Sequence, residues 1–379
     1  MFEPSIWEKE TFYGPRDIII VGSGLSGLWS AYHLKKLRPS ANILILERGL
    51  IPSGASTRNA GFACFGSLTE LMDDAATMGE KKMLELVSMR FEGLQRIKKL
   101  FTKKEIGLEK LGGFELISNS QYADERVLQF DIDRINRLLR KITKKEKTFR
   151  ISQKKLRRFS FGQSAFLVEN KLEAQLHSGK LLQALVQLVQ SMGVQIMTQV
   201  NVSSFKKINN KVELTTNIPV TFTTAQLLIC TNAFAADLLP KIDVIPARGQ
   251  VLVTSAIADL PFRGCFHHDE GFYYFRNLGD RVLLGGARNS DIENERSHDA
   301  LVTPGIQQAL EDFLQKVVLP GRDFTITDRW AGIMGMGGEK MPVIRKIKKN
   351  IYCAVRMSGM GVALAPVAGE EIALLMCRD

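Results

Sequence analysis

The chain has 379 residues, 45% of them hydrophobic and 24% charged, with 31 Gly and 12 Pro. That length exceeds one ordinary domain and makes two structural units the expectation, while the composition excludes the disordered, collagenous and disulfide-dense classes. The net charge of +11 is concentrated in residues 140–158, which hold ten Lys/Arg against the single acid Glu146; such a stripe suits phosphates, anionic lipid or an acidic partner, or serves as a solvated helix face.

In chain order, residues 17–21 read as a strand, followed by a glycine turn, a helix over 25–37 and a second strand over 42–46, a βαβ unit. Residues 68–105 read as helical, with Leu84, Val87, Phe91, Leu94, Ile97 and Leu100 at spacings of three or four. A strand is predicted over 114–117 and a helix over 124–142. Residues 176–192 are amphipathic and end at Gly193, with strand-like segments from 194 to 229. The pattern from 245 to 286 is mostly β, including 250–254, 272–275 and 281–284. A helix over 304–317 carries Pro near its first turn, and the tail reads as strand 351–355, glycine turn and helix 362–376.

The longest apolar runs, such as 18–21 and 227–230, fall far short of the roughly 18 residues a membrane span needs. Residues 1–16 lack the apolar segment of a secretory signal. A cytoplasmic protein with no membrane span is therefore expected. Cys64, Cys230, Cys265, Cys353 and Cys377 make an odd number without a C-x-x-C pair, so buried reduced thiols are expected rather than disulfides or a structural zinc. His267 and His268 lack a partnering Cys or H-x-x-x-H spacing, and no metal site is expected. Nucleic acid is not an expected partner, since no RNA-recognition or zinc-finger signature is present. No G-x-S-x-G elbow or P-loop lysine motif supports a hydrolase or an NTPase.

Gly22-Ser23-Gly24-Leu25-Ser26-Gly27 fits G-x-G-x-x-G between a strand and a helix, with Glu47 ending the next strand 20 residues after Gly27. The first glycine permits the tight turn, the second lets backbone approach a pyrophosphate, the third lets helix meet sheet, and the acid accepts from a ribose. Strand, helix, second strand and acid together predict dinucleotide binding, without saying which dinucleotide. Beyond Glu47-Arg48, the small and polar Gly54-Ala55-Ser56-Thr57-Arg58-Asn59-Ala60-Gly61 suits a loop that approaches a ring system, or an ordinary surface turn. Trp330-Ala331-Gly332-Ile333-Met334-Gly335 and Ser358-Gly359-Met360-Gly361-Val362 suggest a second close backbone approach, the latter at a helix start whose N–H groups favour negative charge.

With these motifs the chain resembles the D-amino-acid oxidase superfamily of FAD enzymes, in its branch with glycine, sarcosine and γ-glutamylputrescine oxidases. The likeness also includes Ser5-Ile6-Trp7, Gly112-Gly113-Phe114, Leu176-His177-Ser178-Gly179-Lys180-Leu181, Thr231-Asn232-Ala233, Pro246-Ala247-Arg248-Gly249-Gln250 and Leu284-Gly285-Gly286. It implies an α/β fold, with an FAD-binding Rossmann-like two-layer dinucleotide domain and a β-sheet-rich α+β substrate domain over the isoalloxazine. The expected boundaries are 1–80, 160–245 and 326–379 for the discontinuous FAD-binding domain, and 81–159 and 246–325 for the substrate domain. Hydride passes from a substrate carbon to flavin N5 in this family, and the imine hydrolyses.

The resemblance implies that Val202 lies by the adenine, Thr57 to Gly61 by the flavin, and Gly359 to Gly361 by its N1/O2 edge. The expected cofactor contacts are Gly22, Gly24, Leu25, Ser26, Gly27, Glu47, Arg48, Ser56, Thr57, Arg58, Asn59, Ala60, Gly61, Val202, Thr231, Gly332, Gly359, Met360 and Gly361. Non-covalent FAD is expected, because residues 335–340 lack the cysteine that sarcosine oxidases use.

The departures bear on the substrate. The resemblance implies a carboxylate-clamping arginine shortly after the tryptophan turn, and Met334 stands there. The nearby glycine turn normally opens with Gly and here opens with Arg356. Tyr273 falls where glycine oxidase-like enzymes carry an active-site tyrosine, and Arg288 at a residue lining the same pocket. The catalytic-site candidates are thus Tyr273, Arg288, Arg356 and Met334, with either arginine standing in for the missing clamp; the alternatives are a core strand tyrosine and a solvent-facing or ribose-facing arginine. Leu283 replaces the lysine with which sarcosine oxidase-like enzymes activate oxygen, leaving the acceptor as O2 or another carrier. The expectation is an FAD-dependent oxidoreductase acting on the C–N bond of a small amine or amino acid. The alternatives are a tRNA wobble-uridine-modifying flavoenzyme and a non-catalytic flavin-binding protein.

Overall fold

A computed structural model describes residues 3–378. The chain divides into two compact units, one built from residues 1–57, 179–246 and 334–379 and the other from 58–178 and 247–333. Residues 58–80, 160–178 and 326–333, expected in the FAD-binding part, belong to the second unit. Among the described residues no helix is long and apolar enough to cross a membrane.

The first unit is a sheet in the order Val343–Lys348, Ile351–Val355, Phe222–Ile229, Arg16–Val21, Ile43–Leu46, Gln195–Met197. Along this path all neighbours after the first pair are parallel, and two further strands, Lys211–Thr216 beside Phe222–Ile229 and then Val202–Ile208, add to the sheet antiparallel. Strands such as Ile18-Ile19-Ile20 are buried throughout because a parallel sheet is covered on both faces, which is why they read as apolar runs without alternation. The helices Leu25–Leu37 and Gly361–Cys377 pack together, and Gly369 makes the close crossing possible: a Cβ there would lie 2.7 Å from the carbonyl carbon of Trp29.

The second unit is built on an eight-stranded sheet ordered Ile326–Met336, Ile245–Thr254, Arg281–Gly286, Tyr273–Leu278, Cys265–His268, Gly113–Ile117, Phe166–Asn170, Phe149–Ile151. Strand periodicity gives it two different faces. Leu252, Leu284, Phe275, Phe266 and Phe114 form one apolar core with Ile306, Leu310, Phe313 and Leu314 of the segment that begins at Pro304. That segment is an α-helix over Pro304–Phe313 and a π turn over Leu314–Val318, where one helix had been expected.

The opposite face carries Val251, Val253 and Leu283, packed with Ala60, Phe62, Tyr274 and Trp330, and then turns polar. Glu115 lies opposite His267 in register. The Ser67 and Thr69 hydroxyls and the Thr69 N–H bond the Glu115 carboxyl. The Glu173 side chain fills the space where Gly113 lacks a Cβ, and accepts the Phe65 N–H at 3.0 Å. The single helix expected over 68–105 is broken at Gly79, whose φ of 86° puts it in the left-handed region, giving Leu68–Met78, Glu80–Leu100 and the short turn Lys103–Ile106.

The basic stripe covers the end of the helix Glu125–Thr143, the edge strand Phe149–Ile151 and the helix Gln153–Phe159. Arg140 pairs with Glu146, while Arg150 and Lys155 share the buried Glu169. The other seven of its ten cations carry no ion pair among the described residues and are exposed. Among the described residues the five cysteines are unbridged, four of them buried and Cys377 exposed.

Candidate active site

In the first unit the glycine turn is a cradle. Gly22 has φ 101°, and a Cβ there would sit 2.9 Å from the Cys230 carbonyl oxygen. A Cβ on Gly27 would run into the carbonyl oxygen of Gly22. At Gly24 the nearest atom to such a Cβ is the Ser56 hydroxyl at 2.9 Å, and this hydroxyl accepts the Leu25 N–H that opens the helix. The Leu25 N–H is thereby taken, and the N–H groups after it at the helix N-terminus are the ones such an end leaves for an anion. The Glu47 carboxylate is held at the mouth of the turn by the Ser23 N–H and hydroxyl, 3.0 and 2.8 Å away, and by the Gly49 N–H.

Beside this cradle, the Thr231 hydroxyl is buried without a hydrogen-bond partner, at the end of the strand that pairs with Arg16–Val21. A buried hydroxyl without a partner is costly, and a ligand atom would satisfy it. The cradle, the oriented acid and the orphaned hydroxyl fit a dinucleotide.

Other expected contacts can serve only in part. The Ser26 hydroxyl is spent on the Ala354 carbonyl, 2.7 Å away; only its N–H remains for a ligand. The Val202 side chain lies in the core of the unit. The Arg48 guanidinium stacks 3.7 Å from the centre of the Phe234 ring. Thr57 bonds the Pro52 carbonyl. Gly359, with φ 78°, lies in the turn before the helix Gly361–Cys377, Met360 caps that helix, and the Met334 sulfur packs 3.3 Å from where a Gly359 Cβ would be. The structure thus brings Met334 and the Gly359 turn together.

Arg356 requires a correction. It is 5% exposed, pairs with Asp243, has Glu339 at 3.7 Å and donates from Nε to the Met341 carbonyl. Its charge is neutralised by its own unit, which removes it as a substrate carboxylate partner. Asp243 is 113 residues away in sequence, so nothing local signalled the pair.

In the second unit the expected ring-facing loop is held firmly. The Trp330 indole N–H donates to the Arg58 carbonyl at 3.0 Å, Arg58 reaches the Ala331 carbonyl at 2.8 Å, and a Cβ on Gly332 would lie 2.9 Å from the Arg58 Cβ. Asn59 accepts the Gly61 N–H and the Ser178 hydroxyl. Arg276, which sequence reasoning missed, ties this loop to the sheet: one guanidinium nitrogen donates to the carbonyls of Gly61 and Leu176, at 3.1 and 2.9 Å.

Tyr273 also needs correcting. It lies on the helix-covered face, stacked on Phe313 with ring centres 4.4 Å apart. The next residue, Tyr274, occupies the face shared by Leu283, Ala60 and Phe62. Its ring lies across Gly285, the hydroxyl 2.7 Å from where a Cβ would be, and burial pushes its pKa up to about 12 despite the opposing charge of Arg288. Arg288 begins a short 3-10 turn after Ala287, whose φ is 58°. It is half-buried; its carbonyl accepts the Asp291 N–H, and among the described residues its side chain carries no hydrogen bond or ion pair.

Residues 17–375 match the family described as DAO, FAD dependent oxidoreductase. The chain belongs to this family. DAO-family relatives span it almost end to end. It is 24% identical to the "Probable oxidoreductase OrdL" of Haemophilus influenzae, covering 96% of this chain and 83% of that one, and 23% identical to the gamma-glutamylputrescine oxidoreductase of Escherichia coli, covering 96% and 84%. The fold is shared with the glycine oxidase from Geobacillus kaustophilus, with a TM-score of 0.76, 20% identity and coverage of 96% and 95%. The expected α/β FAD-binding fold with a sheet-rich domain is the one found.

The DAO-family motif Pro246-Ala247-Arg248-Gly249-Gln250 has a specific structural task here. Arg248 donates from Nε and Nη2 to the Glu295 carboxylate, which is 1% exposed and also accepts from Gln250 at 3.0 Å. Breaking one member of a buried pair strands the other, at a cost of roughly 3–5 kcal/mol. Arg248→Met is expected to lower the unfolding free energy by about that amount in a urea titration, with Arg248→Met/Glu295→Leu recovering much of it. A single variant as stable as wild type would show that the pair does not hold the segment.

Proposed function

We propose that this FAD-dependent oxidoreductase oxidises the C–N bond of a small amine or amino acid. The carrying observation is the first unit's cradle: Gly22 and Gly27, where backbone excludes a Cβ, Gly24 between them facing only the Ser56 side chain, Glu47 fixed at the mouth, and the orphaned Thr231 hydroxyl. The relatives named for glutamylputrescine and glycine support the substrate class. When bound, FAD supplies a two-electron acceptor for the hydride on the carbon next to nitrogen, leaving an imine for water to hydrolyse.

The chain's residues do the rest. Gly24 and the start of the helix Leu25–Leu37, where Ser56 holds the Leu25 N–H, would line the anion path, Glu47 would accept from the ribose, and the Gly359 and Gly361 N–H groups at a helix start would favour negative charge. Arg276 keeps the Arg58 to Gly61 loop in place. Leu283, packed against Ala60, Val251 and Val253, provides no lysine at that position, and the electron acceptor is O2 or another carrier. Attachment is non-covalent, since Cys64 is buried and burial pushes its thiol well up. Buried reduced thiols fit a cytoplasmic setting.

The test mixes oxidised holoenzyme anaerobically with amines, amino acids and 2-hydroxy acids and follows bleaching of the flavin. Bleaching by small amines or amino acids is expected, with all flavin released into the supernatant by acid precipitation. Bleaching by undermodified tRNA alone, or by nothing, would overturn this reading.

A further inference from the structure

We propose that the basic stripe and the outward row of the helix Glu125–Thr143 form a docking surface for an anionic phospholipid bilayer. Among the described residues no helix can cross a bilayer, so the contact is peripheral: the sheet-rich unit lies on the headgroups.

The helix sets the geometry. Leu128, Ile132, Ile135, Leu139 and Thr143 are buried, at spacings of three and four. The same period puts Val127, Phe130, Arg134, Arg137 and Lys141 in one row on the opposite side of the helix. Phe130 is 66% exposed and Val127 54%. A single exposed apolar residue needs no explanation; here two of them, one turn apart, head a row of cations.

Arg134 pairs with Glu80 at 3.0 Å, whereas Arg137 and Lys141 are exposed and carry no ion pair among the described residues. The charge continues through Lys144, Lys145 and Lys147 of the following turn. The helix Gln153–Phe159 adds Lys154, Arg157 and Arg158, which its period places on one exposed face. The stripe thus holds most of the chain's net charge of +11. Like charges crowded together destabilise a fold by self-repulsion, and an anionic surface offsets that cost.

A bilayer satisfies both halves of the row. Headgroup phosphates meet the cations, and the boundary with the acyl chains takes Phe130 and Val127. Stable attachment requires two such signals, since one alone gives marginal, reversible binding. Nucleic acid fits less well. A single strand stacks its bases on aromatic side chains set among the cations, and Phe149 and Phe159, the aromatic residues there, are buried. Phe130 lies about 16 Å along the helix from Lys141, beside the exposed Asp133. A base stacked on it brings its own phosphate against that carboxylate, whereas the lipids at that end of the helix can be zwitterionic.

The test is flotation of the oxidised holoenzyme with vesicles of phosphatidylcholine alone, and of phosphatidylcholine with one part in three phosphatidylglycerol. Binding is expected to the second and not to the first, and should fall as salt rises above about 0.1 M. Each cation near the surface contributes about five-fold in affinity, so Lys141→Gln/Lys145→Gln/Lys154→Gln/Arg157→Gln should lose about 100-fold or more. Lys207→Gln/Lys211→Gln/Lys241→Gln/Lys349→Gln removes as much charge from exposed positions of the other unit and should bind as wild type. Phe130→Gln should weaken binding by roughly 10-fold, and Phe130→Leu should retain it. Unchanged melting temperatures and flavin content are expected throughout, because every altered side chain is exposed. No binding to the anionic vesicles at low salt, or an equal loss in both quadruple variants, would overturn the proposal. So would undiminished binding of Phe130→Gln, which leaves only bare charge, or binding of tRNA in preference to the vesicles at equal phosphate concentration. Flotation reads no turnover, so these results stand apart from the C–N chemistry proposed above.

Discussion

Gly27→Ala is expected to yield no folded protein, whereas Gly24→Val is expected to yield a folded protein that purifies colourless. The two positions lie three residues apart, and the difference is in what a Cβ meets. At Gly27 it meets the Gly22 carbonyl, with Ile20 Cγ2 at 3.4 Å. Gly22 cannot retreat, since its own Cβ position faces the Cys230 backbone and its φ is left-handed. No rotamer relieves a backbone clash, so the cost falls in the exceptional range of about 4–5 kcal/mol or more. At Gly24 the only close atoms belong to the Ser56 side chain, which accepts the Leu25 N–H but can yield by rotation as a backbone carbonyl cannot. The fold survives, but valine then fills the path by which backbone N–H groups reach a pyrophosphate. Circular dichroism, melting temperature and flavin absorbance per chain separate the outcomes. A yellow Gly24→Val protein at wild-type stoichiometry would refute the cradle, and a well-folded Gly27→Ala would refute the packing argument.

The first unit was legible in the sequence because its determinants are local. A βαβ crossover fits into residues 16–46, and the glycine spacing with Glu47 reports turn, helix start and acid together. The second unit was less legible where parity decides. Phe272-Tyr273-Tyr274-Phe275 is aromatic throughout, without the alternation that tells one sheet face from the other. The pairing partner would have resolved it: Tyr274 lies opposite Gly285, and a large ring needs a residue without a side chain beneath it. Long-range partners were invisible for a different reason. Arg356 and Asp243, and Arg248 and Glu295, are joined only by the fold, and a lone arginine in sequence looks the same whether spent or free. The break at Gly79 was readable in principle, as glycine is the residue that interrupts helices at low cost.

Raising the pH from 6.5 to 8 is expected to destabilise the holoenzyme, and Glu173→Gln to remove most of that loss. Burial raises the Glu173 carboxyl to about 8 and the Glu115 carboxyl to about 7, from an ordinary 4.5. For each, the folded protein holds a proton that the unfolded chain has already released above 4.5. The unfolded state then binds fewer protons, so the unfolding free energy falls as pH rises, by about 1.4 kcal/mol per pH unit for each group. The contribution is fully present below pH 4.5 and is exhausted once pH exceeds the folded pKa. His267 acts in the opposite direction at lower pH. Burial lowers its pKa from 6.5 to about 4, so between those values the unfolded chain binds the extra proton and stability rises with pH, masking one of the carboxyls. Above 6.5 that compensation ends. Glu115 and Glu173 act together to about 7, and Glu173 alone from about 7 to about 8. Glutamine keeps an acceptor for the Phe65 N–H and has no proton to lose, so the variant's melting temperature should be nearly flat from pH 7 to 8 and exceed that of wild type at pH 8. Urea titrations at saturating FAD across this range give the slopes. Parallel curves for wild type and Glu173→Gln would mean that Glu173 is ionised in the folded protein, and that the Phe65 and Gly66 N–H groups and the charge of Lys98 outweigh its burial.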